Sequence, residues 1–374
     1  MKHSTLGASS SARWLSCPAS VKMVEGLKDK GSFFAAEGTA AHDLAEQALN
    51  ADKPASEFIG NEISGFIVND EMANNVQRYV DYIADIQEGS VNPTLLVEQR
   101  VSYEEWVPQG FGTSDAIVID GETVHVIDLK YGKGEAVYAD NNTQAMLYAL
   151  GVLQGFNHIH DFKTFVLHIV QPRIGNYSEW SISCEDLLAF GEYASERAEL
   201  CGTKDAPFGP SEKACRWCKA SGNCKALAEH NLKIIGAEFD DLENITIPDT
   251  NKLTADQVAK LLPNVTLITG WLKAVESYAL DAICSGGEIP GYKAVNGRSN
   301  RRWADNSEDI VVNMLGEQAY TRKLITPTQA EKILKKEFSE LSDVVVKPEG
   351  KATLVPVTDK RPPISTILDE FKEV

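Results

Sequence analysis

Three residues in one short stretch carry the chemistry that matters most. In GFGTSDAIVIDGETVHVIDLKYGKG, Asp115 precedes an Asp128-Leu129-Lys130 triplet. Segments 112–119 and 123–130 are short and β-branched and read as two strands, with Asp120-Gly121 between them as a hairpin signal. Side chains alternate along a strand, so Asp128 and Lys130 share a face. The turn decides whether Asp115 joins them. A two-residue turn at Gly121-Glu122 sets Asp115 opposite Asp128. A turn at Asp120-Gly121 sets it opposite Val126, diagonal to Asp128. Both leave the two carboxylates on one face, whereas a three-residue loop would part them. Two carboxylates plus a backbone carbonyl, here that of Leu129, are hard oxygen ligands suited to Mg²⁺ or Mn²⁺. Such an ion activates water and offsets charge building on a scissile phosphate, and Lys130 would add to that stabilisation. The hairpin alone is a short pattern, and the same residues could sit on a solvated surface.

Other elements must bring further groups to this face. The residue pattern predicts helices over 10–28, 38–50, 70–88, 141–154 and 184–203, and strands over 95–101 and 164–170. Gln144 and Tyr148 are four apart and share a helix face. Turned toward the hairpin, their amide and phenol could hold a phosphate and Lys130; turned away, they are a surface Gln and a core Tyr. His42, on helix 38–50, could ligate the metal as neutral imidazole or contact a DNA end. Glu98, on strand 95–101, is a weaker candidate for metal or water positioning.

Taken in order, these motifs resemble the PD-(D/E)xK nucleases, in the RecB-like branch that includes RecB, AddB and the CRISPR-associated RecB-like exonucleases. Gly38-Thr-Ala-Ala-His42 matches that branch's His motif, Gly112-Thr-Ser-Asp115 its first strand, Asp128-Leu-Lys130 its second, and Gln144-Ala-Met-Leu-Tyr148 its helix. The resemblance covers roughly residues 10–230. It implies an α/β restriction-endonuclease-like core, a mixed central sheet flanked by helices, and a metal-dependent DNA exonuclease acting at linear ends or on single strands. Asp115, Asp128, Leu129 and His42 would then serve the metal, and Lys130, Gln144 and Tyr148 the phosphate. It also implies a phage or prophage setting, with DNA recombination or end processing as the task and a single-strand-binding or annealing protein as a partner.

Seven cysteines are present, and three of them, Cys215, Cys218 and Cys224, fall within ten residues. Such clustering in a reducing compartment points to metal rather than disulfides. Three thiolates need a fourth ligand, for which Cys17 is the first choice and His230 the fallback. From spacing alone Zn²⁺ is the commoner occupant. The resemblance implies instead a [4Fe-4S] cluster, because in that branch an N-terminal Cys-Pro, here Cys17-Pro18, joins a C-terminal trio. Cys184, Cys201 and Cys284 are isolated and read as small buried hydrophobes.

A chain of 374 residues with 43% hydrophobic and 24% charged content is globular rather than disordered. The start shows no secretory h-region, and the most apolar run, Phe165–Val170, is too short for a bilayer, so the expectation is a cytoplasmic protein with no membrane partner. A net charge of -18 argues against a protein that coats DNA, but leaves room for an enzyme that gathers its cations in one channel. The character changes near residue 235, giving a nuclease domain over 1–235 and a mainly helical extension over 236–374. That extension carries Arg298, Arg301, Arg302 and Trp303, which would suit phosphate contact and base stacking or, equally, a basic turn anchored by a Trp. Two further readings stand beside the nuclease. One is a non-catalytic DNA-end or partner-binding scaffold that keeps the cluster; the other is a structural zinc protein. An oligomer is compatible with all three.

Overall fold

The computed structural model describes residues 4–27, 31–240 and 255–293, all within one compact unit, Met1–Val295. It opens with α1 (Ser11–Ser16) and α2 (Ser20–Met23), followed by α3 (Phe33–Ala51), the small hairpin β1 (Glu62–Ile63) and β2 (Phe66–Ile67), and α4 (Asp70–Glu88). The main sheet then begins with β3 (Thr94–Ser102), β4 (Phe111–Asp120) and β5 (Thr123–Leu129). Helix α5 (Thr143–Phe156) crosses to β6 (Thr164–Gln171) and β7 (Asn176–Ser183). Helices α6 (Cys184–Gly202), α7 (Glu212–Cys215), α8 (Lys225–Asp240), α9 (Ala255–Leu261) and α10 (Val265–Cys284) complete the described chain.

The five strands lie in the order β3-β4-β5-β6-β7. Every neighbouring pair is antiparallel except β5–β6, which is parallel, as a helical crossover between them requires. The protein is therefore mixed α/β, with a mixed central sheet flanked by helices and a helical C-terminal portion among the described residues. Ile117, Ile119, Val124, Val126, Leu167 and Ile169 face α5 and the N-terminal Trp14. Ala116, Val118, Ile127, Leu129 and Val170 face α3 and α4 through Leu44, Met72, Val76 and Tyr79. Both faces are covered, and each fully buried aliphatic side chain contributes on the order of 2 kcal/mol. No helix among the described residues is long and apolar enough to cross a membrane.

Two sequence expectations are corrected here. The helix expected over 10–28 is broken, because Pro18 disfavours helical backbone at the residue before it. Cys17 accordingly takes φ -132°, ψ 81° at the end of α1. Strand β7 was not foreseen: NYSEWSIS alternates along a sheet edge with little apolar content, while the buried β4, β5 and β6 are strongly apolar. The expected domain change near 235 falls within α8. The segments 241–254 and 294–374 lie outside the described residues.

Candidate active site

The hairpin closes on Gly121-Glu122, with Asp120 paired to Thr123. This is the first of the two turns considered above. Continued by one step, the register Ala116↔Ile127 sets Asp115 opposite Asp128. The ladder stops at that point, and Asp115 Oδ2 accepts the Leu129 N–H at 2.7 Å instead. The Lys130 N–H donates to the Val170 carbonyl at 2.8 Å across the parallel pair. Successive residues turn their amides to opposite neighbours, so the Leu129 carbonyl lies on the β4 side, with Asp115.

Three elements converge on these carboxylates. From α3, His42 Nδ1 lies 3.1 Å from Asp115 Oδ1. From β3, Glu98 falls between the pairs Val97↔Ala116 and Gln99↔Ser114, beside Asp115, and one ligand atom each from His42, Glu98 and Asp115 lie within 4.8 Å of one another. From the first turn of α5, Gln144 Nε2 donates to Asp128 Oδ1 at 2.9 Å, while its Oε1 accepts from Lys130 Nζ at 3.2 Å. That turn is capped by Asn142, whose side chain accepts from the Ala145 N–H. The positive end of the helix therefore faces the site. Lys130 Nζ is paired in charge with Asp128 Oδ2 at 2.7 Å, yet that buried oxygen has no well-aligned hydrogen-bond donor.

Glu98 has φ 46°, the left-handed region, in mid-strand. Such a residue costs about 1–3 kcal/mol and persists only when its surroundings impose it. The imposition is visible in the packing. Leu96 and Val101 both meet the α5-side core although an odd number of positions separates them, so the strand changes face at Glu98. Tyr148 is buried rather than open to a ligand. Its hydroxyl accepts from Gln144 Nε2 at 3.3 Å, and its ring lies where a Cβ on Gly112 would meet Cε1 at 2.6 Å. Tyr148 is thus a positioning residue for Gln144, and Gly112 makes room for it.

Burial opposes charge on all these groups, and neighbours decide the outcome. Burial pulls the His42 imidazolium down, but Asp115 and then Asp128 hold it up to about 9. Burial lifts Asp115, yet His42, Lys130 and the Leu129 N–H outweigh it and leave that carboxyl below its usual range. At Asp128 burial prevails over Lys130, and the carboxyl is pushed up. Lys130 stays above its ordinary value because Asp128 and Asp115 outweigh its burial. Burial and Asp115 push Glu98 up to about 7. A protonated His42 is the cation that balances this acidic cluster. The ligand atoms of His42, Glu98 and Asp115, within 4.8 Å of one another, offer carboxylate oxygens and, once His42 gives up its proton, an imidazole nitrogen, a donor set that suits Mg²⁺ or Mn²⁺, while the Asp128 oxygens are engaged by Gln144 and Lys130.

Two features of the site were not legible in sequence. Arg173, just past β6, pairs with Glu37 at 2.8 Å and Glu71 at 3.0 Å and lies 4.5 Å over the Tyr131 ring. Gln171 accepts from the Val137 N–H at 2.6 Å and donates to the Glu135 carbonyl at 3.2 Å, fastening the loop that leaves Lys130. Pro172-Arg173 signals a strand end and nothing more, and no local pattern marks Gln171 as a loop clamp.

Cys17, Cys215, Cys218 and Cys224 line one small pocket. The N-terminal turn is held there by Arg197, which donates to the Leu15 and Ser16 carbonyls at 2.6 and 3.3 Å, and by the Ala19 N–H to Pro207. A Cβ on Gly209 would meet the Ser16 carbonyl oxygen at 2.0 Å, so only glycine permits this approach. Burial pushes the Cys215 thiol up to about 11 and raises Cys218. Four soft sulfurs line one pocket, but no three of them lie within 4.8 Å of one another, a spread wider than one tetrahedral zinc requires and open to a larger cluster. His230, the fallback ligand, does not line the pocket. Of the three isolated cysteines only Cys201 is fully buried. Cys184 is half-buried against the core, and Cys284 is exposed, correcting its reading as a buried hydrophobe. Arg298, Arg301, Arg302 and Trp303 lie outside the described residues.

The chain belongs to the family described as "Protein of unknown function (DUF2800)", whose family model matches residues 3–362.

Proposed function

We propose that this member of DUF2800 is a metal-dependent DNA exonuclease of the PD-(D/E)xK type. The observation that carries the reading is the convergence of Asp115, Asp128 and Lys130 on one sheet face, with His42, Glu98 and Gln144 closing around them. Asp115, Asp128, the Leu129 carbonyl and His42 would hold the ion, with Glu98 beside them. When bound, Mg²⁺ or Mn²⁺ supplies Lewis acidity toward the scissile phosphate and lowers the pKa of water. Asp115, fixed through the Leu129 N–H, and Asp128, fixed through Gln144, keep their oxygens in place, so little reorganisation is needed as charge develops. Lys130 carries its ammonium at the phosphate-facing end of β5, where it offsets negative charge on the pentavalent phosphorus. Gln144 spans Lys130 and Asp128, and Tyr148 braces Gln144. The pocket formed by Cys17, Cys215, Cys218 and Cys224 would hold a [4Fe-4S] cluster, with Zn²⁺ as the alternative occupant of the same ligands. DNA processing in a phage-type recombination setting would be the physiological task.

The test is a digestion series on linear duplex labelled at the 5′ or the 3′ end, with Mg²⁺ or Mn²⁺ and with EDTA. Degradation should require the divalent ion and should vanish in Asp128→Ala and Lys130→Ala proteins that keep the wild-type circular dichroism. A purified Lys130→Ala protein as active as wild type would defeat the assignment. Tight DNA binding without hydrolysis under any metal would favour the scaffold reading instead.

A further inference from the structure

The sequence KACRWCKASGNCK places a tryptophan between two of the pocket cysteines. Trp217 is 84% exposed, an unusual state for so large an apolar ring. It separates two grooves. One, of about 290 Å³, is lined by Arg13, Lys213, Trp217 and Lys219. The other, of about 650 Å³, runs between the cysteine loop and α10 and is lined by Arg216, Trp217, Trp271 and Lys273, with Glu212 as its acidic residue. The approach of α10 is close, since a Cβ on Gly222 would meet the Ala274 carbonyl oxygen at 2.3 Å. Cations therefore gather around two indole rings in a chain whose net charge is -18.

The same loop is bolted to the candidate active site. Arg216 lies 5.7 Å over the Trp217 ring and pairs with Glu135, in the loop that leaves Lys130. The Glu135 carbonyl is in turn bonded to Gln171, at the end of β6. A ligand lying on Trp217 is thus one ion pair away from the loop that follows Lys130.

We propose that this surface binds a single-stranded segment of the DNA substrate, with bases stacked on Trp217 and phosphates along Lys213 and Lys273. The inference rests on the nuclease reading and adds a substrate form to it. Stacking on an open indole needs an exposed base face, which a duplex hides and a single strand offers. The lysines supply the sequence-independent attraction to phosphate. Arg216, engaged by Glu135 and Glu212, orients the ring and loop rather than reading the strand.

The experiment measures binding of a fluorescently labelled thymidine homopolymer to the full chain in EDTA, where hydrolysis is silent. Trp217→Ala should weaken binding by about tenfold or more, and Trp217→Phe should stay within a few-fold of wild type. Lys213→Ala combined with Lys273→Ala should flatten the slope of log affinity against log salt by about 1.4. Wild-type affinity in Trp217→Ala overturns the proposal. Should that variant fail to fold, an unchanged salt slope in the lysine pair overturns it instead. The two readings fail separately. A wild-type protein that binds the strand but never hydrolyses DNA, with that binding lost in Trp217→Ala, sinks the nuclease and leaves this surface standing. Full hydrolysis by wild type with Trp217→Ala binding unimpaired sinks this surface alone.

Discussion

Two glycines of the sequence motifs look equivalent on paper and differ in space. A Cβ on Gly112 would strike the Tyr148 ring at 2.6 Å, whereas one on Gly38 would meet nothing within 4 Å. Gly112→Ala should therefore cost about 1–3 kcal/mol by overpacking, and by shifting Tyr148 it should loosen Gln144 and lower hydrolysis. Gly38→Ala, inside α3, should stabilise by about 0.5–1 kcal/mol through helix propensity. Urea denaturation of both proteins, with the digestion assay alongside, checks the pair; equal effects at the two positions would refute this account. Strand alternation puts Asp128 and Lys130 on one face, but Asp115, Asp128, Lys130, His42 and Gln144 were read as one site through the order of their motifs in the family likeness. Arg173 was not, because its partners Glu37 and Glu71 come from two other elements and no spacing rule links them.

At the scale of elements, the strained backbone at Glu98 is the device that turns β3 toward the site. Glu98→Gly accepts the left-handed conformation without strain and removes a carboxylate that faces Asp115. We expect a gain of about 1 kcal/mol in stability together with reduced hydrolysis. Thermal unfolding would settle the first point, and a less stable variant would contradict it. The join between β5, β6 and α4 makes a second prediction. His168 is fully buried, with Nδ1 2.9 Å from the Tyr82 hydroxyl and Nε2 3.0 Å from His125 Nδ1. Burial and then His125 push its pKa down from 6.5 to about 3. The unfolded chain thus binds a proton that the folded chain refuses, and stability falls as pH drops below 6.5. Between pH 7 and pH 5 this one group should remove about 2 kcal/mol. Urea midpoints at the two pH values should differ less in His168→Gln than in wild type, by about that amount. Equal pH slopes would refute the neutral, buried imidazole. Sequence showed β5 and β6 as apolar runs, but a histidine within such a run carries no sign of which face or partner it will meet. For the same reason β7, polar and alternating at a sheet edge, escaped notice.

Over the whole molecule, the cysteine pocket joins residues about 200 positions apart, Cys17 with Cys215, Cys218 and Cys224. A ligand there closes a very long loop and removes much of the freedom of the unfolded chain. Cys218→Ser should lose bound metal and most of the soluble protein, as read by elemental analysis and yield. A normal yield with full stability would count against a structural role. A brown colour with broad visible absorption marks iron–sulfur, and a colourless protein containing zinc marks the alternative. The trio was legible from spacing alone. That Cys17 joins it could be expected only through the family likeness, since nothing in the local sequence foretells Arg197 or Gly209 as the parts that dock the N-terminal turn.

The docking of the first helices has a consequence for biogenesis. Trp14 and Leu15 are buried partly against α6, and Arg197 secures the carbonyls that end α1. On the ribosome these apolar side chains are made before the helix that shelters them, which follows some 180 residues later. A chain stopped within that interval leaves Trp14 and Leu15 without the helix that covers them.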